Sequence, residues 1–150
     1  MNQKKCDIGY LIFAGIASLF FILAFHSFNN QHPVNLPDVK GSFSEWGVNS
    51  CDIEKDYIYV SGWSAPQSSI KLKTVVFAQD NQSGEYYQLK TLVYPRSQGT
   101  DEMKANGFFD NSGYVSAIRL PTSSLDSFKD IVILSQDRDG KWLRGDYACK

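Results

Sequence analysis

Residues 8–25, Ile-Gly-Tyr-Leu-Ile-Phe-Ala-Gly-Ile-Ala-Ser-Leu-Phe-Phe-Ile-Leu-Ala-Phe, form an 18-residue run without a single charge. As a helix the run covers about 27 Å, close to the hydrocarbon thickness of a bilayer. It follows a short head, Met1–Asp7, that carries Lys4 and Lys5. Everything after it is polar and mixed. The chain therefore divides into a head (1–7), a transmembrane signal anchor (8–26), a linker (27–42) and an exported domain (43–150).

A cleaved signal peptide is the competing reading. Its apolar core runs to about 15 residues at most and ends at small residues. Here the exit is Leu23-Ala24-Phe25-His26-Ser27-Phe28, and cleavage after Ala24 would place Ile22 where a small residue is wanted. The pattern predicts an anchor that is kept. Positive charge stays on the cytoplasmic side, and no Lys or Arg follows the apolar run until Lys40. That predicts a single-pass protein of the cell inner membrane, with its amino terminus cytoplasmic and its carboxy-terminal domain periplasmic or extracellular. No Cys follows the run directly, so lipoprotein processing is not expected. Cys6 reads as a free thiol at the cytoplasmic edge. The Gly-Phe-Glu cleavage pattern of a pilin is missing as well.

Of 15 basic and 16 acidic residues, all but Lys4, Lys5 and Asp7 lie beyond the anchor. That balance is a solvated surface without a nucleic-acid footprint. Beyond the anchor the only cysteines are Cys51 and Cys149, and an oxidising compartment favours their pairing. Such a bond closes a loop of about 100 residues, for which chain entropy allows about 4.7 kcal/mol. The only histidines, His26 and His32, fall at the membrane exit and in the linker, so neither a metal set nor a Ser-His arrangement is expected in the domain. No cofactor motif is present.

Pro33 and Pro37 discourage helix in the linker. From there the chain reads as strands: 47–53, 57–63, 70–78, 85–94, 113–120, 128–135 and 141–148. Asp80-Asn-Gln-Ser-Gly84 and Asp137-Arg-Asp-Gly140 have turn chemistry. Thr100 to Asn106 suggests one or two helical turns, and Pro121 to Leu125 a crossing segment. Seven short strands predict an all-β fold, an antiparallel Ig-like β-sandwich of two sheets, each with one wet face. The expected core includes Ile58, Val60, Leu72, Val76, Leu89, Ile118, Leu120, Ile131, Ile133 and Trp142.

Several fragments share a pattern: Val60-Ser-Gly62-Trp63, Tyr87-x-Leu89-Lys-Thr91, Pro95-Arg96, Asn111-Ser-Gly113-Tyr114 with Ile118 and Leu120, and Asp137-Arg-Asp-Gly140. Together they resemble the Ig-like β-sandwich accessory module of bacterial cell-surface glycan enzymes, over roughly residues 47–147. The Asp-Val expected after the Arg corner is replaced by Ser97-Gln-Gly99. The resemblance implies a fold and a cell-envelope setting and supplies no substrate.

The aromatics are the functional lead, since Trp and Tyr stack on sugar rings and anchor protein interfaces. Trp46, near the linker, and the adjacent pair Tyr86 and Tyr87 are the candidate ligand-binding residues, because two neighbours on a strand face opposite ways. Asp137-x-Asp139 lacks the later ligands of a calcium loop. Asp52, Glu54 and Asp56 read as a solvated turn, and Asp101-Glu102 as favourable placement at a helix start. Asn81-Gln-Ser83 is a glycosylation acceptor pattern only in a eukaryotic secretory pathway. The expected function is non-enzymatic: a membrane-anchored envelope protein whose sandwich binds a partner protein or a surface polysaccharide. The alternatives are a structural subunit of a secretion, conjugation or division assembly, and a small envelope enzyme.

Overall fold

The structure, a computed structural model, describes residues 3–29, 31–43, 45–54, 56–65, 71–95, 112–120, 127–137 and 139–149. The expected short helix at 100–106, with Asp101 and Glu102, the Arg96 corner and the crossing at 121–125 lie outside these residues. The chain forms two compact units, Met1–Gln31 and His32–Lys150.

The first unit is one helix, α1, Gln3–Asn29, longer at both ends than the sequence estimate. Within it Ile8–Phe28 is long and apolar enough to cross a membrane. Tyr10, Leu11, Phe13, Phe20 and Phe21 are each more than two-thirds exposed. A surface helix of a soluble domain would carry a polar stripe. An apolar helix without one needs an apolar surrounding.

The second unit is all β. Its strands are β1 (Gly41–Ser42), β2 (Glu45–Ile53), β3 (Tyr57–Ala65), β4 (Lys71–Asp80), β5 (Tyr86–Tyr94), β6 (Gly113–Arg119), β7 (Phe128–Asp137) and β8 (Trp142–Ala148). Seven of them match the sequence reading within two residues, because alternating apolar residues and turn signals bound each one. In the β4–β5 turn the Asp80 carboxylate accepts bonds from the Gln82 amide and the Ser83 hydroxyl, and Gly84 takes a positive φ of 75°. In the β7–β8 turn the Asp137 carboxylate accepts bonds from the Asp139 and Lys141 amides.

The strands form one sheet in the order β1-β8-β7-β4-β5-β6-β3-β2. This corrects the expectation of two separate sheets. The cause lies in β5, which has no Gly or Pro to end it. Its residues Tyr86–Leu89 pair with β4, and Lys90–Tyr94 pair with β6. The sheet curls at β5 and its two halves face each other. Ile58 and Val60 from one half meet Val76, Ile131 and Ile133 from the other, all fully buried.

The far ends of the curl meet through side chains. Trp46 of β2 lies over Gly145 of β8, with ring atoms 3.0 Å from where a Cβ would stand. Cys51 of β2 bonds Cys149 just past β8, with Cα atoms 5.7 Å apart. A bulge makes this possible. The β2–β3 register shifts between Val48 and Ser50, so Val48 and Cys51, three residues apart, both face the core.

One outer face is not wet. Val75, Phe77, Val132 and Leu134 point away from the main core, yet each is at least nine-tenths buried. Val34, Leu36 and Val39 cover them, together with Tyr86 and Trp142. Trp142 therefore packs on this outer cluster and not in the main core. Residues 33–42, read from sequence as linker, form a strap. It starts where the Val34 amide donates to the Tyr86 carbonyl at 2.8 Å and ends as β1, paired in parallel with β8. The strap crosses the layer β5-β4-β7-β8 from edge to edge.

Candidate functional site

The residues singled out from sequence are engaged in packing. Trp46 closes the seam between β2 and β8 and lies 6.5 Å from the Phe43 ring. Tyr86 and Tyr87 do face opposite ways. Tyr87 packs on the main core, edge-on to Phe128 at 5.5 Å, and its hydroxyl donates to Glu85 Oε2 at 3.3 Å. Burial, and then the Glu85 charge, raise the Tyr87 phenol above its ordinary pKa. Tyr86 packs under the strap, against the outer cluster. A cleft of about 400 Å³ lies between Pro33–Leu36 and Ser83–Tyr86, open on one side to solvent.

Polar groups inside the curl bond each other. Ser64 Oγ and Ser135 Oγ are 2.7 Å apart, and Thr74 Oγ1 lies 3.0 Å from Ser135 Oγ. All three residues are buried. This hydroxyl trio links the two halves of the curl. Its bonds involve neither a carboxylate nor an imidazole, so nothing bonded to it would activate a nucleophile. Among the described residues, no three of His, Cys, Asp and Glu gather to hold a metal.

The aromatics that sequence reasoning passed over come together instead. Along β3 the residues Tyr57, Tyr59, Ser61 and Trp63 alternate with the buried Ile58, Val60, Gly62 and Ser64, so they face outward. Registers extend that face across β2, β3, β6 and β5 in rows. The first row is Gly47, Trp63, Gly113 and Tyr94. The second is Ser50, Ser61, Val115 and Leu92. The third is Asp52, Tyr59, Ala117 and Lys90. Tyr57 beside Arg119 begins a fourth. Leu92 is 75% exposed, Tyr57 39% and Tyr94 37%. No strap covers this face among the described residues.

Glycines set its relief. A Cβ on Gly113 would stand 2.7 to 3.0 Å from three atoms of the Tyr94 ring, so that ring lies flat over β6. Trp63 leans the same way over Gly47, with Nε1 2.8 Å from the equivalent point. On the inner side the Tyr114 hydroxyl lies over Gly62. The Gly-Trp and Gly-Tyr fragments of the sequence are thus cross-strand glycine–aromatic pairs, in which a ring shields the bare backbone of its neighbour. Tyr114 is fully buried and its hydroxyl has no hydrogen-bond partner among the described residues. Burial drives its phenol far above the ordinary pKa.

Charges rim the face. Arg119 Nη2 pairs with Asp56 Oδ2 at 2.6 Å, and Ser50 Oγ donates to Asp52. Burial first, then Glu54, raise the Tyr57 phenol. Lys90 stands at the opposite flank, its ammonium pKa lowered by desolvation. Acid therefore gathers at the β2–β3 side and a cation at the β5 side. No family model, no curated protein and no solved structure matches the chain.

Proposed function

We propose that this chain is a non-enzymatic, membrane-anchored cell-envelope protein whose β domain docks a partner protein through the outer face of β2-β3-β6-β5. In this reading α1 is a retained anchor with a cytoplasmic amino terminus, as Lys4 and Lys5 favour, and the domain lies beyond the inner membrane. The Ig-like assignment is supported by strand order. β4-β7-β8 follow the C-F-G order of such a fold and β2-β3-β6-β5 follow A-B-E-D, with β5 serving both layers.

The observation that carries the docking reading is the contrast between the two outer faces. The β5-β4-β7-β8 face is covered by the chain's own strap, while the other presents Tyr57, Tyr59, Trp63, Leu92 and Tyr94. Aromatic and large apolar groups ringed by charge are the composition of an interface. A protein sheet suits the exposed aliphatic Leu92 and the half-buried Val115 beside it better than a sugar polymer does.

The test is photo-crosslinking in intact cells from probes at Leu92 and Ser61, with Asn35 on the strap as control. The expected result is discrete protein adducts from the first two sites alone. Adducts to polysaccharide, or equal labelling from Asn35, would overturn the reading.

A further inference from the structure

The rows of this face have a property that none of its residues shows alone. Consider a two-fold axis parallel to the strands, running between β3 and β6 above the sheet. Such an axis keeps each row at its own level and reverses its left-to-right order. β2 then faces β5 of a second copy, and β3 faces β6. In the third row Asp52 meets Lys90 and Tyr59 meets Ala117. In the second, Ser50 meets Leu92 and Ser61 meets Val115. In the fourth, Tyr57 meets Arg119. Acid opposes base at Asp52–Lys90, the larger side chain opposes the smaller at Tyr59–Ala117, Leu92–Ser50 and Val115–Ser61, and a phenol opposes a guanidinium at Tyr57–Arg119.

The first row gives the sharpest fit. The Trp63 ring lies over β2 and the Tyr94 ring over β6, so among the described residues no ring is placed over β3 and β5 at that level. Reversal places the rings of the second copy over those positions. The four rings then alternate, each about one strand spacing of 4.8 Å from the next. Two sheets stack in this aligned manner at about 10 Å.

We infer that the occupant of the docking face is a second copy of this chain, paired face to face about that axis. The inference rests on the docking face proposed above. It makes the contact isologous, with two Asp52–Lys90 pairs per dimer. The face spans three strand gaps and three to four rows, roughly 15 Å by 20 Å between Cα atoms. With side chains it covers about 500 Å² on each copy, below the roughly 800 Å² per partner of a stable soluble complex. The pairing is therefore weak in free solution and effective when both copies share one membrane, where tethering raises their local concentration.

The test uses the full chain in vesicles of phosphatidylethanolamine and phosphatidylglycerol, with energy transfer between two labelled populations. Asp52→Lys alone sets Lys against Lys at both contacts, and Lys90→Asp alone sets Asp against Asp. Each variant should pair with itself roughly tenfold more weakly than the natural chain. Mixed together they restore both contacts, so the mixture should pair as well as the natural chain does. Both substitutions lie on exposed positions, and recovery on mixing shows that both variants are folded. Transfer unchanged in both single variants would overturn the inference, because the copies would then be meeting elsewhere, through α1 for example. Absence of transfer for the natural chain, or no gain on mixing, would overturn it too. If protein adducts still form from Leu92 and Ser61 in cells in that case, the docking face stands with another occupant. If they do not, the docking reading falls with the inference.

Discussion

Gly62 and Gly113 are both shielded by aromatic rings, and the two shields differ in what can move. A methyl on Gly62 would press on the Gly47 carbonyl and stand 2.6 Å from the buried Tyr114 hydroxyl. Backbone and a core ring cannot retreat, so Gly62→Ala should cost about 2–3 kcal/mol. The atoms nearest a methyl on Gly113 belong to the Tyr94 ring, which is 37% exposed and has solvent to swing into, so Gly113→Ala should cost well under half as much. Thermal melting followed by circular dichroism would rank the two, and equal losses would refute the distinction. Tyr114→Phe tests the unpartnered hydroxyl. Removing a buried donor that bonds nothing among the described residues should leave stability unchanged or raise it by up to about 1 kcal/mol, a few degrees in melting temperature. A loss of more than that would mean the hydroxyl has a partner in solution. These glycine–aromatic fragments were visible in the sequence as a recurring pattern. Their pairing across strands was not, because which glycine meets which ring depends on register. For the same reason sequence reasoning favoured Trp46, Tyr86 and Tyr87 over Tyr57, Tyr59, Trp63 and Tyr94. Adjacency along the chain is readable, and adjacency across strands is not.

At the scale of the elements, strand limits were legible because Asp-x-x-x-Gly and Asp-x-Asp-Gly turns mark them. The burial of both faces of β4 and β7 was also written there. Val75-Val76-Phe77-Ala78 and Ile131-Val132-Ile133-Leu134 are unbroken apolar runs, the mark of strands covered on two sides. What hid it was the cover. Val34, Leu36 and Val39 are scattered among prolines and polar residues and do not look like core. Leu36→Asp should therefore destabilise the domain by about 2–3 kcal/mol, as a charge is forced onto an apolar face. A surface change such as Asn35→Asp should be neutral. Melting curves of the two variants decide the point, and matching curves would mean the strap carries no weight. The bulge at Asn49 was illegible for a different reason. Strict alternation puts Val48 and Cys51 on opposite faces, and only the extra residue brings both inward.

Over the whole molecule, the long apolar helix and the all-β character followed from hydropathy and turn spacing, while the single curled sheet did not. Nothing in the composition of β5 says that it changes partners midway. The disulfide joins β2 to the end of β8, two strands that do not pair among the described residues. Replacing both Cys51 and Cys149 with Ser should cost about 2–4 kcal/mol, most of it by loosening the unfolded chain. Chemical denaturation of the oxidised and Ser variants would measure it. A difference under about 1 kcal/mol would show that Trp46 against Gly145 and Phe43 holds the seam without the disulfide.

The strap has one more consequence, and it concerns force. Any pull transmitted from α1 enters the β domain through residues 33–42, which lie across the strands and can be peeled contact by contact. Behind them stands a covalent stop at Cys51, joined to the far end of the chain. Load beyond the strap would next meet the β2 residues Glu45 to Ser50, paired with β3, and at Cys51 the disulfide would carry it across to Cys149. The domain is thus arranged as a yielding element in series with a locked one. Under tension the peeled strap would extend to roughly 30 Å, about 3.3 Å for each residue, from a folded span of about 15 Å across three strand gaps.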